Sequence, residues 1–575
     1  MNLNSLLGLA ANALLRNQVA LGVAGHNVAN VNTEGYSRQR VVFTSERPSE
    51  AAFGQLGNGV NIQSIRRQVD TFLYRETNRE SQFQSRWEAQ NRVLNEVETI
   101  LTENEEYGIN KSLNDFWNAW SDLANEPGGY TERNAVVSAA NKLAQAFESR
   151  SDALNQTRRS LDVQIQGAIA EVNSITERIR ELNSLIQSAE TGRDVVANDL
   201  RDKRDQLVDE LATYLDIEYL EESGPSGEPV FHVFLSGGSP LVSGQHKWDL
   251  SADDLLSESE FHDIKYMGGS NQDSVMPNIS KGKLAAWLTL RDETIPGILE
   301  DLDLLAASVV NEVNKLHYSG YGLDGTSGNR FFEILPPTIQ SDDRNAGHLT
   351  LEGSVFDITA LTMDDYRIEF ISGTEFRIVN ERTGDELKDP TGAPGDYVWT
   401  YASGIPIRFD GMQITIADGT TPPFNPPLVP QPGDTYHISG SQGMASKMAV
   451  ASEVVANTDK IAAGESPDAG DNSVALRINE LQMGNVMNGG TATFETYFGE
   501  IVGRVGVIKL EAETNEQHYS SIVEQLEVLK SSVSGVSLDE EMTQIMKFQY
   551  AFQASSKLIT VTDQLFQTLL DTLRR

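Results

Sequence analysis

The chain has 575 residues, which is more than one hydrophobic core accommodates, so several domains are expected. Asp and Glu outnumber Lys and Arg by 83 to 45, and the net charge of −38 argues against binding to nucleic acid or to anionic lipid. The absence of cysteine excludes disulfides, thiolate metal sites and cysteine nucleophiles, and it suits a chain that crosses between redox compartments unfolded.

The first predicted element is an amphipathic helix over roughly residues 3–30. Its stripe alternates in steps of four and three residues, as in a coiled-coil seam, and consists of Leu3, Leu7, Ala10, Leu14, Asn17, Leu21, Ala24 and Val28. Such a helix needs a partner to be stable in water. No uninterrupted apolar run reaches the length of a membrane span, so no membrane insertion is predicted. Residues 1–5 lack the Lys or Arg of a signal peptide, so no cleaved signal peptide is expected either.

The helix leads into GHNVANVNTEGYSRQRV at residues 25–41, where three asparagines precede a Gly–Tyr pair. A run of polar side chains at this place can line a site, bind a ligand or end the helix. Asn tolerates left-handed geometry and bonds to nearby backbone, and glycine permits a sharp turn. We therefore predict a helix stop and hinge, which consists of Asn27, Asn30, Asn32, Gly35 and Tyr36.

The next part of the chain is predicted to be mostly helical. Short strand-like runs occupy residues 38–65, and helical periodicity then extends from about Arg66 to Asp216. One long helix is expected from about Glu132 to Ala189, between turns at residues 125–129 (NEPGG) and residues 191–194 (TGRD).

The second half alternates between helical and strand-like segments. Strand patterns in residues 217–250 precede a helix from about Lys283 to Tyr318, which Pro296 kinks or divides. Residues 335–440 are rich in Gly, Pro, Asp and Thr and contain strands such as YRIEFI, FRIVNE, IRFDG, QITIA and TYHISG, so they form an expected all-β insertion. Helices are then expected at about Ser446–Ala456, Asn472–Met483 and Thr493–Ser532.

The final predicted helix runs from Ser537 to the end of the chain. Its apolar positions are Leu538, Met542, Ile545, Phe548, Phe552, Ile559, Phe566, Leu569 and Leu573. Since neither terminal stripe has a local partner, we expect the two helices to pack on each other or on neighbouring subunits. The predicted fold is therefore an elongated, mainly α rod with an inserted β domain. Its expected domains are residues 1–65 with 535–575 (terminal helices), 66–334 with 441–534 (helical rod) and 335–440 (outer β domain).

The sequence contains no recognisable catalytic or metal-binding motif. None of the eight histidines has the spacing of metal ligands, and no phosphate-binding or nucleophile-elbow motif is present. The LDGTSGN sequence at residues 323–329 lacks the acidic pattern of a calcium loop and is interpreted as a turn. We therefore predict a non-enzyme without a cofactor. The alternative is a secreted enzyme or sugar-binding adhesin with a groove in the β insertion, lined by Trp399, Tyr401 and Tyr436.

The two ends resemble a known family. VANVNTEGYSRQRV at the first helix, and SGVSLDEEMTQIMKFQYAFQASSKLITVTDQLFQTLLDTLRR at the last, resemble the hook-associated protein 1 (FlgK) family of the bacterial flagellum. LNDFWNAWSDLANEP, ANDLRDKRDQLVDEL, KGKLAAWLTLRDETIPG and VNKLHYSGYGLDGTSGNRFF also fit, so the resemblance covers nearly the whole chain except the β insertion. Gly25-His26 departs from the small polar residues that the family more often has there.

The resemblance implies a structural protein of the junction between hook and filament. It implies export in an unfolded state through the flagellar type III apparatus, an extracellular location and assembly as a ring. The implied partners are further copies of the chain, the hook protein, the second junction protein, and a cytoplasmic export chaperone at the C-terminal helix. The expected axial interface consists of Leu3, Leu7, Leu14, Leu21, Val28, Met542, Ile545, Phe548, Phe552, Ile559, Phe566, Leu569 and Leu573.

Folding is expected to be coupled to assembly. Residues 1–65 and 535–575 are predicted to be disordered in the monomer and to order when their stripes are buried against neighbours. An alternative within the same class is another flagellar axial protein, such as the hook protein or flagellin. The SRQ sequence after Gly35-Tyr36 and the long helical middle favour the junction protein.

Overall fold

The computed structural model describes residues 3–51, 54–103, 108–191, 195–225, 227–253, 260–268, 274–342, 344–347, 349–390, 395–418 and 429–573. Within these ranges the chain is mainly α-helical with several small antiparallel sheets, which confirms the predicted fold class. The helices are α1 (Leu3–Ala29), α2 (Thr71–Leu101), α3 (Ile109–Asn125), α4 (Tyr130–Glu190), α5 (Asn198–Tyr214), α6 (Gly282–Thr289), α7 (Ile295–Ser319), α8 (Met444–Lys447), α9 (Ser452–Ala456), α10 (Ser473–Glu480), α11 (Phe494–Ser534) and α12 (Leu538–Leu573).

The strands are short, and those that pair do so in antiparallel fashion. They are β1 (Gln39–Ser45), β2 (Ser49–Ala51), β3 (Gly54–Leu56), β4 (Val60–Arg67), β5 (Ile217–Ser223), β6 (Pro229–Leu235), β7 (Pro240–Ser243), β8 (His246–Lys247), β9 (Leu250–Ser251), β10 (Lys265–Tyr266), β11 (Tyr321–Gly322), β12 (Thr338–Ser341), β13 (Leu349–Val355), β14 (Tyr366–Ser372), β15 (Glu375–Asn380), β16 (Trp399–Thr400), β17 (Pro406–Phe409), β18 (Met412–Asp418), β19 (Thr435–Ser439) and β20 (Ala462–Gly464).

The contacts divide the chain into two compact units. The first unit comprises Met1–Asn91, Asp162–Leu288 and Glu511–Arg575, and the second comprises Arg92–Leu161 and Thr289–Leu510. The three-part division expected from the sequence follows different boundaries and stays a prediction.

The first unit contains both terminal helices. α1 packs against α12, as the unpartnered stripes suggested, and it also contacts the hairpin of β1 and β4. A separate core joins α4, α5 and α6 to the four-stranded sheet β5-β6-β7-β8. Ile165, Val172, Ile175, Ile179 and Ile186 of α4 follow one another at spacings of three, four and seven residues, as on one helix face, and all five are buried.

The second unit has an aromatic core. Trp120 of α3 meets Phe331 edge-on, with ring centroids 5.3 Å apart, and Phe331 meets Phe332 at 4.8 Å. The buried Asn314 of α7 holds these rings in place, since its Oδ1 accepts from the backbone N–H groups of Phe331 and Phe332 at 2.9 Å. A buried amide with satisfied bonds specifies one arrangement of an otherwise apolar core.

The described part of residues 335–440, called the β region here, lies within the second unit. The sheets β12-β19-β14-β15-β16 and β13-β18-β17 share one apolar core. The predicted strands appear as β14, β15, β17, β18 and β19, whereas β12, β13 and β16 were missed. The aromatic residues considered as a groove, Trp399, Tyr401 and Tyr436, are buried in the core. His348 lies outside the described residues, as do residues 192–194 of the TGRD turn.

Two local predictions need correction. The helix expected at Ser446–Ala456 is divided into α8 and α9, because the intervening chain pairs elsewhere: Ala451 donates its N–H to the Phe331 carbonyl at 2.8 Å. The helix expected around Pro296 is divided by a π-helical turn at Leu290–Thr294. Pro296 then lies in the first turn of α7, where its missing N–H costs little.

The length and composition of α1 bear on the prediction that the chain does not insert into a membrane. By length and composition alone, Leu3–Ala29 is apolar enough to cross a membrane, although it contains Arg16 and several asparagines. Core helices and signal sequences meet the same two criteria. In this structure α1 packs on α12, and Arg16 pairs with Glu46 of the hairpin at 3.3 Å.

Candidate functional site: the joint of the terminal helices

α1 ends at Ala29, within the asparagine-rich stretch. The Asn30 side chain donates through Nδ2 to the His26 carbonyl at 2.9 Å, and the Thr33 N–H donates to the Asn30 carbonyl at 2.9 Å. Side-chain bonds of this kind satisfy the carbonyls that a helix end leaves free. Asn32 lies exposed in the turn that follows.

Gly35 supplies the sharp part of this turn. Its φ of +71° lies in the left-handed region, and a Cβ there would collide with the side chain of Gln206. Gln206 approaches because its Nε2 donates to the Glu34 carbonyl at 2.5 Å. The turn therefore needs glycine for both its backbone conformation and its close contact with α5.

Asn27, which was predicted as part of the stop, is buried and makes four hydrogen bonds. Its Nδ2 donates to the Gln39 carbonyl at 2.9 Å and to Glu541 Oε2 at 3.1 Å. Its Oδ1 accepts from the Gln39 N–H at 3.0 Å and from the Tyr36 hydroxyl at 2.8 Å. Both donors and both acceptor sites of the amide are therefore used, which no apolar or charged residue of similar size can match.

Arg38 connects the turn to the start of α12. Its Nε donates to Glu541 Oε1 at 2.6 Å, and its Nη1 donates to Glu540 Oε2 at 2.5 Å. Burial by itself lowers the pKa of Arg38, but the bonds to the two carboxylates outweigh burial and raise it, while Arg38 lowers the pKa of Glu540. The Arg38 and Glu541 side chains are 7% and 4% exposed, so this ion pair is shielded from solvent, unlike Glu540 at 60%.

The same segment is tied to α5 through a row of carboxylates. Asp202 accepts from the Ser37 N–H at 3.1 Å, and Asp199 accepts from Gln39 Nε2 at 2.8 Å. Residues three apart share one face of a helix, so α5 presents both groups to the turn. Arg67 balances this charge by donating to Asp202 at 2.6 Å.

These carboxylates also favour the protonated form of the Tyr36 phenol. Burial, together with the charges of Asp199 and Asp202, raises the pKa of the Tyr36 phenol, so the hydroxyl keeps its proton and donates a hydrogen bond to Asn27 Oδ1. His26 Nδ1 lies 3.0 Å from the same hydroxyl, and its ring meets the Tyr36 ring edge-on. We call Asn27, Tyr36, Arg38, Gln39, Glu540 and Glu541 the terminal joint.

A cleft of about 1110 Å³ opens beside the terminal joint. Its lining includes carboxylates of α5 together with Lys530, which lies 3.6 Å from Asp209 and above the Tyr74 ring. In the described part of the chain, no group of three or more His, Cys, Asp or Glu side chains is placed to hold a metal ion. The Leu323–Asn329 loop forms a turn in which Asp324 accepts from the Thr326 N–H at 2.9 Å.

The predicted interface residues lie at different depths. Half-buried are Leu3, Leu14, Leu21, Val28, Ile545, Phe548, Phe552, Ile559 and Phe566. Leu7, Met542 and Leu569 are exposed at 36%, 51% and 45%, and the side chain of Leu573 lies outside the described residues. The buried positions of α1 are instead Ala10, Ala20, Ala24 and Asn27, and those of α12 are Glu541 and Thr562.

Sequence reasoning missed Arg38 and Glu541. Glu541 is signalled by the Ser537-x-x-Glu540 pattern of a helix start and the acidic first turn of α12, and Arg38 by its place in the SRQ sequence. Neither signal identifies Arg38 as the partner, because the two residues are 503 positions apart.

Comparisons with known proteins identify relatives over the whole chain. A family model described as "Flagellar hook-associated protein FlgK helical domain" matches residues 94–332. Models described as "Flagella basal body rod protein" and "Flagellar basal body rod FlgEFG protein C-terminal" match residues 7–36 and 531–572. The two terminal matches therefore cover most of α1 with its turn and nearly all of α12.

Individual relatives agree with these matches. The chain is 26% identical to flagellar hook-associated protein 1 of Salmonella typhimurium, over 99% of this chain and 100% of that protein. It is 24% identical to the protein of that name from Bacillus subtilis, over 98% and 97%. The structure of the flagellar hook junction protein FlgK from Burkholderia pseudomallei is similar in fold, with a TM-score of 0.65 at 18% identity, over 80% of this chain and 100% of that one.

Proposed function

This chain belongs to the hook-associated protein 1 family of flagellar structural proteins at the hook–filament junction, and on that premise we propose that it assembles there through its terminal helices. The observation that carries the proposal is the apolar surface which α12 leaves exposed. Its exposed side chains include Leu538, Met542, Met546, Tyr550, Leu565, Leu569 and Leu570, at 45% to 70%. Apolar side chains repeated along one helix indicate a protein interface.

α1 contributes to the same surface. Leu7, Leu15 and Val19 are exposed at 36%, 58% and 42%, although α1 already packs on α12. The helix pair therefore offers apolar groups beyond those it uses internally. Each such side chain would contribute roughly 1.5 to 3 kcal/mol if a neighbour buried it fully.

We propose that neighbouring copies of the chain cover this surface in a ring. Family membership suggests partners among flagellar axial proteins. Within that group we propose the hook protein on one side of the ring and the second junction protein on the other. Before export, a cytoplasmic chaperone would bind α12. The role is structural, without catalysis or a cofactor.

Export and location form part of the proposal. The chain would leave the cell unfolded through the flagellar type III apparatus and would remain in the extracellular flagellum. The absence of cysteine supports this route, since no disulfide has to form or break. Few side chains of α1 and α12 are fully buried, which supports terminal helices that are ordered mainly by assembly.

Two exposed positions on α12 test the proposal. In Met542→Asp and Tyr550→Asp we expect a normally folded, normally exported protein that does not join the hook tip, so that filament subunits are lost to the medium. Gln549→Asp, at an exposed polar position of the same helix, is the matched control. Immunogold labelling of hooks and a motility assay measure the result. Normal labelling and motility in both variants would contradict assembly through this surface.

A further inference from the structure

The terminal helices run antiparallel and carry a heptad pattern that does not define their alignment well. Asn27 in the last turn of α1 contacts Glu541 in the first turn of α12, so the chain directions oppose. The buried apolar residues of α1 are the small Ala10, Ala20 and Ala24. Small side chains present a smooth surface to a partner helix.

A slip of one heptad would preserve much of the apolar contact. Moving α12 by seven residues replaces Ile545 by Phe552, Phe552 by Ile559 and Ile559 by Phe566, which keeps large apolar groups in place, while Phe548 is replaced by Ser555. The shift along the helix axis would be about 10 Å. Apolar packing therefore discriminates weakly between the two alignments.

The polar contacts discriminate strongly. A slip of about 10 Å would separate Glu541 from both Arg38 and Asn27, which would leave the buried guanidinium of Arg38 without this carboxylate and Asn27 Nδ2 with one hydrogen bond fewer. An unpaired buried charge is far more costly than a changed apolar contact. A single polar residue in an apolar helix interface is known to select one register in this way.

Arg38, to which α12 is aligned, is itself held in place by backbone hydrogen bonds. Arg38 donates its backbone N–H to the Ser534 carbonyl at 2.9 Å and accepts from the Gln68 N–H at 2.8 Å. The adjoining Ser37 and Gln39 bind Asp202 and Asp199 of α5. The start of α12 is thus positioned relative to α5, in addition to α1.

We propose that Asn27, Arg38 and Glu541 form a register lock, which specifies the alignment of α12 on α1 and on α5. The lock is a specificity-determining element of the proposed assembly function, because a ring of identical subunits requires one helix alignment. Segment 34–39 keeps one conformation as long as Glu541 is bonded to Asn27 and Arg38.

The cysteine-free sequence allows a direct measurement of register. Ala24→Cys with Gln544→Cys places one thiol three residues from the lock on each helix, and Ala24→Cys with Ala551→Cys reports a slip of one heptad. Gln544 and Ala551 are both half-buried, so their surroundings are matched. Intrachain disulfide formation is followed by gel mobility in the purified full-length chain and in isolated hooks.

We expect only the first pair to cross-link when the lock is intact. Glu541→Gln replaces one of the two carboxylate oxygens by an NH2 group, which faces a donor of Arg38 or Asn27 and cannot accept from it, so the second pair should then cross-link at least tenfold faster. Asp539→Asn removes an exposed carboxylate from the same first turn of α12 and serves as the matched control, with no change expected. The triple variant Asn27→Leu, Arg38→Leu, Glu541→Leu keeps the site filled without charge and should cross-link through both pairs, which a merely stabilising role does not predict.

Exclusive cross-linking of the first pair in Glu541→Gln and in the triple variant would overturn the lock. Equal cross-linking of both pairs with the lock intact, in both preparations, would also overturn it. These results are independent of the assembly test, because normal hook labelling in Met542→Asp and Tyr550→Asp refutes the proposed interface whatever the helix register is.

Discussion

Lowering the pH from 7 to 4 should weaken the second unit through one side chain, His317. The imidazole is fully buried: Nδ1 donates to the Asn329 carbonyl at 2.9 Å, and Nε2 accepts from the Ala462 N–H at 2.9 Å. Both nitrogens are occupied, so a proton on Nε2 has to break the bond to Ala462. Burial, and secondarily the charge of Arg133, lowers the pKa of His317 from 6.5 to about 4.

The sign and size of the pH effect on stability follow from the difference between the pKa of His317 in the folded and in the unfolded chain. Because the unfolded chain binds the proton more tightly, the contribution to the free energy of unfolding is present above pH 6.5 and is lost as the pH falls toward 4. A shift from 6.5 to about 4 corresponds to a loss of roughly 2 kcal/mol by pH 5 and roughly 3 kcal/mol by pH 4.

The assay compares the wild type with His317→Gln, whose amide can donate and accept but does not titrate in this range. Urea unfolding followed by tryptophan fluorescence gives the free energy at each pH, and Trp120 lies close enough to report, with ring centroids 6.4 Å apart. The other acidic groups titrate in both proteins, so their effect cancels in the difference. The reasoning is refuted if the two proteins lose stability in parallel between pH 7 and pH 4.

Three further substitutions test the terminal joint and the second unit. Asn27→Ala should leave the Glu541 and Gln39 contacts incomplete and cost about 2 to 4 kcal/mol of docking free energy, measured as faster proteolysis at α12 than in the wild type. Gly35→Ala should destabilise the turn by about 1 to 3 kcal/mol, because of its φ of +71° and the collision with Gln206; an unchanged urea midpoint would contradict this. Arg133→Lys should lower the urea midpoint of the second unit by an amount corresponding to about 2 to 3 kcal/mol, since one ammonium cannot span the carbonyls of Ile461, Thr458 and Pro127 that the guanidinium binds; hydrogen exchange around Ile461 should rise with it.

Local patterns in the sequence determined much of the secondary structure. Helical periodicity identified α1, α4 and α12, and turn-forming residues placed the boundary between α3 and α4. Period-two alternation identified β1, β4 and most long strands of the β region. These features depend on neighbours within a few residues, so they can be read from the chain without knowledge of its fold. The terminal motifs also sufficed to indicate the family.

The break between α8 and α9 was decided by tertiary structure. Residues 448–451 have an acceptable helical pattern, yet their backbone pairs with Phe331–Glu333, more than a hundred residues away. A distant hydrogen-bonding partner overrides local helical preference, and sequence spacing carries no information about that partner.

The terminal joint shows most clearly which features the local sequence determines and which only the tertiary structure decides. The sequence marked Asn27 as part of a helix stop and marked the leucines of α1 as its buried stripe. In the structure Asn27 instead bonds to Glu541, 514 residues away, and the buried face consists largely of alanines. Periodicity specifies which residues share a face, but only the position of the partner helix decides how deeply each is buried. The pairing of Arg38 with Glu541 likewise arises because the fold brings the two ends of the chain together, where desolvation makes each charge depend on the other.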